Sequence, residues 1–178
     1  MRTLVWLIGK PGAGKTSVGE LVHSLVPASK HFSFGQLLKE YEPKPEAVGY
    51  SLTTREKVHE LLRNEAKTVD YLIVDGNPYP PHGFGFLDQV KDIYDKVCIL
   101  QLDCNNDTAE ERIRSRKRRV VLPHEGNVYA DRIASFNNIV LPEIENGKSV
   151  YAIDLISTQG RTPKSVAEEI VAMLDMVK

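Results

Sequence analysis

Hydrophobic positions along the chain follow two rhythms. The apolar runs "TLVWLIG" (3–9) and "YLIVDG" (71–76) read as buried strands, and "VCILQLD" (97–103) and "SVYAIDL" (149–155) as further strands. "KHFSFG" (30–35) is short and extended. Between these runs, apolar residues recur at helical spacing. The helix "KTSVGELVHSLV" (15–26) is closed by Pro27, and "GQLLKE" (35–40) begins another. "TTREKVHELLRNEA" (53–66) has Thr53 and Glu56 spaced as a capping box ahead of Val58, Leu61 and Leu62. "FLDQVKDIYDK" (86–96) and "DTAEERIRSRKR" (107–118) read as helices, the second capped by Asp107. "VYADRIASFNNIVLPEIE" (128–145) is a helix that Pro142 bends or interrupts, and "TPKSVAEEIVAMLDMV" (162–177) closes the chain with Pro163 in its first turn.

Strands alternating with helices imply right-handed βαβ units and a parallel sheet covered on both faces. The predicted fold is α/β with three layers, in one domain spanning residues 1–178. Loops are expected at "YEPKPEAVG" (41–49) and "NPYPPHGFG" (77–85), where proline and glycine cluster. No internal repeat or low-complexity tract interrupts the pattern.

Composition narrows the class. Hydrophobic residues make up 42% and charged residues 26%, ordinary proportions for a globular protein. The net charge of −1 advertises neither nucleic acid nor an acidic membrane surface. No apolar run approaches a bilayer span. "MRTLVWLIG" runs straight into glycines and Lys15 without a small-residue cleavage pattern, against a signal peptide. Cys98 and Cys104 have no companion set and read as reduced thiols. A cytoplasmic monomer is expected.

One stretch carries specific chemistry. Gly9-Lys10-Pro11-Gly12-Ala13-Gly14-Lys15-Thr16 fits G-x-x-x-x-G-K-[ST], with a strand before it and a helix after it. Gly12 and Gly14 allow a tight turn in which successive N–H groups converge on an anionic oxygen. The helix adds its positive N-terminal end. Lys15 reaches terminal phosphates, and Thr16 offers a hydroxyl to Mg²⁺. An ordinary glycine turn with a chance lysine is opposed by this context. Asp75, ending an apolar strand, suits a carboxylate that holds the Mg²⁺ shell through water. Arg112, Arg116 and Arg119 share one side of a helix, aimed where a transferring phosphoryl group spreads its charge. Arg114 and Arg118 point elsewhere, toward solvent. His23 and His59 read as surface or boundary residues, His31 as a packed histidine, His82 and His124 as loop residues, and Trp6 as core.

In this order the motifs resemble the adenylate kinase and nucleoside monophosphate kinase family. "GKPGAGKTS" is similar to its G-x-P-G-x-G-K loop, "HFSFGQLLKE" (31–40) to H-x-S-x-G-D-L-L-R, and "VDGNPY" (74–79) to D-G-F-P-R. "CNNDTAEERIRSR" (104–116) resembles the segment leading to its R-x-x-x-R pair, and "ADRIASFNNIVLPEIE" a late helix bearing a phosphate-contacting arginine.

The resemblance implies a P-loop fold with small acceptor-binding (33–64) and lid (117–127) insertions, and ATP and Mg²⁺ as cofactors. Gly12, Ala13, Gly14, Lys15, Thr16 and Ser17 would hold the ATP phosphates, with Thr16 and Asp75 at the metal. Ser33, Phe34 and Gly35 would line the acceptor pocket, with Asp75 and Gly76 between the two substrates. Arg112 would lie against the donor base, Arg116 on phosphate, Arg132 on the acceptor phosphate, and Gly160 beside the adenine. Lys15, Arg112, Arg116 and Arg132 would form the catalytic set.

The departures concern the acceptor. Lys39 and Tyr79 occupy the family's acceptor-arginine positions, which removes two guanidinium forks and one charge. Phe34 replaces a small polar residue, and Gly83 falls near the adenine-reading glutamine, with Gln89 downstream. Arg118 or Arg119 could stand in for the second lid arginine. The expected activity is ATP-dependent phosphorylation of a nucleoside monophosphate, with AMP the preferred acceptor. The alternatives are a kinase for another small metabolite, or a noncatalytic nucleotide-binding protein touching RNA through residues 112–119.

Overall fold

The computed structural model describes residues 1–43, 50–115 and 128–175. Five parallel strands are β1 (Thr3–Gly9), β2 (Ser29–Ser33), β3 (Tyr71–Asp75), β4 (Lys96–Asp103) and β5 (Ile153–Ser157), in sheet order β2-β3-β1-β4-β5. β1 is central because every one of its residues is apolar or small enough to be covered on both sides. Leu4, Trp6 and Ile8 face one core, and Val5 and Leu7 face the other.

The helices divide accordingly. α1 (Lys15–Leu25), α5 (Asn106–Ser115) and α8 (Pro163–Asp175) pack Val18, Val22, Ala109, Val166, Ala167 and Ile170 on the Val5 and Leu7 side. α2 (Phe34–Tyr41), α3 (Leu52–Ala66), α4 (Gly85–Val90) and α7 (Leu141–Gly147) pack the Trp6 side through Leu37, Leu38, Val58, Leu62, Leu87 and Ile144. Each fully buried leucine or isoleucine contributes about 1.5–3 kcal/mol relative to exposure. The three-layer reading therefore stands.

Local expectations needed correction where side-chain hydrogen bonding chose the boundary. α3 starts at Leu52, one residue before the expected Thr53, because Ser51 Oγ accepts from the Thr54 N–H at 3.2 Å. Asn105, rather than Asp107, serves the start of α5, accepting from the Thr108 N–H at 2.8 Å. The helix expected over 86–96 ends at Val90, and the strand expected from Ser149 begins at Ile153.

Pro142 leaves a definite mark. α6 (Val128–Ser135) runs into a π-helical segment (Phe136–Val140), where the Leu141 N–H reaches back to the Phe136 carbonyl, before α7 continues. Proline brings no N–H and crowds the preceding turn, so the chain widens there rather than stopping. Among the described residues, no helix is long and apolar enough to cross a membrane.

Candidate functional site

The loop from Gly9 to α1 closes over the carboxyl ends of β1, β3 and β4. Gly12 (φ +85°) and Gly14 (φ +99°) hold left-handed conformations, and an added Cβ at Gly12 would collide with the Ala109 carbonyl of α5. Lys15 Nζ donates to the Gly9 carbonyl at 2.6 Å and the Lys10 carbonyl at 3.1 Å, curling over the loop it is expected to serve. Ala13 is buried, while Thr16 and Ser17 are half-buried at the first turn of α1. Lys10 is tied sideways to Asp103 at 3.1 Å, which anchors the rim of the loop to the end of β4.

Asp75 sits at the inner end of this cradle with only 4% of its surface exposed. Its Oδ1 accepts from Thr16 Oγ1 and Ser33 Oγ, both at 3.2 Å, and its Oδ2 accepts from His31 Nε2 at 2.9 Å. Three donors from two elements, Thr16 on α1 and His31 and Ser33 on β2, therefore fix one carboxylate. His31 is packed as expected, but it also orients Asp75, so its Nε2 carries the proton. Among the described residues, no three His, Cys, Asp or Glu side chains gather to hold a metal by themselves. One carboxylate beside one hydroxyl suits Mg²⁺, which keeps several waters and takes its other ligands from phosphates.

Arg112 turns inward from α5. Its guanidinium donates to Thr158 Oγ1 at 3.0 Å, the Thr158 carbonyl at 2.7 Å and the Gly12 carbonyl at 3.4 Å. It thereby ties the phosphate loop to the β5–α8 loop, in which Gly160 is exposed at φ +66°. Thr158, buried and bonded to the Asp103 carbonyl, escaped sequence reasoning because a lone threonine after a strand carries no signal. Arg114 pairs with Glu110 on the solvent side, as expected. Arg132 is exposed on α6. Arg116, Arg118, Arg119 and the expected lid 117–127 lie outside the described residues.

On the other side of Gly76 lies a second pocket. Trp6, Phe34, Arg55, His59, Asn77, Tyr79, His82, Gly83 and Phe86 line a narrow cleft that opens to solvent. It adjoins the phosphate loop directly: Trp6 Nε1 donates to the Gly76 carbonyl at 2.7 Å, and the Gly9 N–H donates to Asn77 Oδ1 at 2.9 Å. Phe34 packs on Gly76, where an added side chain would meet its Cβ. Phe34 and Tyr79 line this pocket, and Gly76 borders it through its contact with Phe34. Ser33 is turned to Asp75, while Gly35 and Lys39 are exposed on α2, outside the pocket lining. Gln89 is exposed on α4.

His59 overturns its reading as a surface or boundary residue: it is 5% exposed, stacked among Phe34, Phe86 and His82 at centroid distances of 5.4, 5.4 and 5.5 Å. Burial, then His82, then Arg55 push its pKa down to about 4, so it is neutral at ordinary pH. Among the described residues, His59 Nδ1 and His82 Nε2 are both buried without a hydrogen-bond partner. An unmet buried group of this kind costs about 1–3 kcal/mol.

The Arg55 guanidinium lies 5.6 Å over the Tyr79 ring. Burial draws its pKa below the ordinary value, against the attraction of Tyr79, Glu42 and Tyr50. A signal for α3 was present in the sequence: Arg55, Val58, His59 and Leu62 fall at i, i+3, i+4 and i+7, so Arg55 and His59 share the core-facing stripe.

No family profile matches the chain. It is 26% identical over 196 residues to an adenylate kinase of Nautilia profundicola, covering 99% of this chain and 96% of that one. It is 28% identical over 173 residues to an adenylate kinase of Helicobacter pylori, covering 86% and 89%. Among solved structures, shikimate kinase from Acinetobacter baumannii in complex with shikimate superposes with a TM-score of 0.65 at 16% identity, covering 100% of this chain and 96% of that one. A gluconokinase from Sinorhizobium meliloti does so with 0.64 at 14%, covering 99% and 95%. The chain therefore has the P-loop kinase fold and resembles adenylate kinases along its length. Together the likenesses support an enzyme of the kinase class.

Proposed function

We propose that this protein transfers the γ-phosphoryl group of Mg·ATP to a nucleoside monophosphate, with AMP as the preferred acceptor. The observation that carries the reading is the adjacency of two sites across Gly76 and Asn77: a phosphate cradle on one side and an aromatic, hydrogen-bonding pocket on the other. An acceptor phosphate oxygen forms a bond to Pγ while the bond from Pγ to the ADP oxygen breaks, giving ADP and a nucleoside diphosphate. The loop amides, Ala13, Ser17 and Lys15 hold the donor. Thr16 and Asp75 hold Mg²⁺, which supplies charge neutralisation across the transferring phosphates. Arg112, Arg116 and Arg132 add guanidinium charge, Arg112 and Gly160 flank the donor base, and Ser33, Phe34, Gly35, Lys39, Asp75, Gly76 and Tyr79 border the acceptor. Segments 33–64 and 117–127 close over the substrates and exclude water.

The acceptor pocket favours a second reading, a kinase for another small metabolite. Its charge comes from α3 rather than from positions 39 and 79, and its walls are largely aromatic. A coupled assay of ADP release, run with each of the four common monophosphates in Mg²⁺ and again in EDTA, separates the two. Monophosphate-dependent, Mg²⁺-dependent turnover is expected. No turnover on any of them would refute the nucleotide reading.

A further inference from the structure

We propose that Arg55 is the anion anchor of the acceptor pocket, and that His59 and His82 offer their unpartnered ring nitrogens to hydrogen-bonding atoms of the same acceptor. The proposal rests on the kinase reading above and deepens it.

Three observations converge. The resemblance leads one to expect arginines at positions 39 and 79, where the chain carries an exposed lysine and a tyrosine. A guanidinium is nevertheless present at the second place: Arg55, entering from α3, stands over the ring of Tyr79 itself. The tyrosine has become the platform for a charge delivered from another helix. Among the described residues, the hydrogen bond that Arg55 makes is a long one, from Nε to the Tyr50 carbonyl at 3.4 Å. A half-buried guanidinium with so little paired to its fork is built to receive an oxyanion.

The histidines supply a further, independent observation. His59 is 5% exposed, and its Nδ1 is an orphan; the Nε2 of His82, across a ring contact of 5.5 Å, is another. Buried polar atoms in folded proteins are normally satisfied. Two orphans lining one pocket, beside an underused guanidinium, describe a complementary ligand: an oxyanion flanked by hydrogen-bonding atoms, with an apolar face for Trp6, Phe34 and Phe86. A phosphate monoester and a carboxylate share that oxyanion chemistry.

The test uses the full chain and titration calorimetry at fixed salt. Its ligands are AMP, GMP, CMP, UMP, shikimate and gluconate, each in the presence of a nonhydrolysable ATP analogue. Whichever ligand binds the wild type should lose about tenfold or more in affinity in Arg55→Gln. Arg55→Lys should recover part of that loss, and affinity for the ATP analogue should be unchanged in both.

Binding of that ligand should also move the ¹⁵N resonances of His59 Nδ1 and His82 Nε2, which the ATP analogue alone should not. Should Arg55→Gln fail to fold, Arg55→Lys and the two histidine resonances decide the matter. Unchanged affinity in the foldable Arg55 variants, silent histidines, or no binding by any of the six ligands overturns the proposal. Binding confined to shikimate or gluconate would instead sink the nucleotide reading and leave the anchor standing. Monophosphate binding indifferent to Arg55 would do the reverse.

Discussion

Replacing His59 with leucine should make this protein more resistant to acid. In the wild type, the unfolded chain protonates this imidazole below its ordinary value of 6.5, while the native state resists until about 4. The unfolded state therefore binds the extra proton across that window, and stability falls as pH drops through it. Above 6.5 both states are neutral and the penalty vanishes; below about 4 both are protonated and it stops growing. At roughly pH 5 the linkage relation gives a loss of about 2 kcal/mol relative to neutral pH. Partial solvent contact at the pocket mouth reduces this to about 1–2 kcal/mol. For a chain of this size that corresponds to about 3–6 °C in Tm.

Leucine cannot titrate, and it also removes the orphaned Nδ1, so His59→Leu should match or exceed the wild type at neutral pH. The assay is thermal unfolding by circular dichroism at a series of pH values, comparing the two proteins pairwise so that acid effects elsewhere cancel. The curves should diverge progressively below pH 6.5 and run parallel again below about 4. Parallel curves throughout would show that the buried imidazole is not held neutral, and the reasoning would fail with it.

Two further outcomes are expected. Gly12→Ala introduces a left-handed penalty of about 1–2 kcal/mol, together with a collision against the backbone of α5. Calorimetry should show nucleotide binding lost by more than about tenfold, with ligand binding in the Arg55 pocket retained; near-normal ATP affinity would contradict the cradle geometry. Arg112→Ala releases the tie between Gly12 and Thr158. It should cost about 1–3 kcal/mol of stability and raise the KM for ATP more than that for the acceptor, and equal effects on both would count against its place on the donor side.

Much of the architecture could be read directly from the chain. Continuous apolar runs mark strands covered on both faces because only double burial tolerates residues such as Leu4, Val5, Trp6 and Leu7 in succession. The phosphate loop was equally legible, since its glycines, lysine and threonine sit at fixed local spacing between a strand and a helix. Asp75 could be anticipated because a strand's end fixes where its last side chain lies. Helix starts were less secure: Ser51 and Asn105 won over Thr53 and Asp107 through single hydrogen bonds that local pattern cannot rank.

The acceptor pocket depended on tertiary structure. Arg55 and His59 lie in a helix well before Tyr79 and His82 in the chain, and only packing of α3 on the Trp6 face of the sheet brings guanidinium, imidazoles and tyrosine together. In sequence His59 is one polar residue on a mixed helix; its neutrality arises from the rings that enclose it and the charges beside it. Local order along the chain determined the sheet and the phosphate loop, because their geometry is written in contiguous residues. The electrostatic character of the second pocket was decided by the fold, because burial and charge proximity belong to a place in space and not to a position in the sequence.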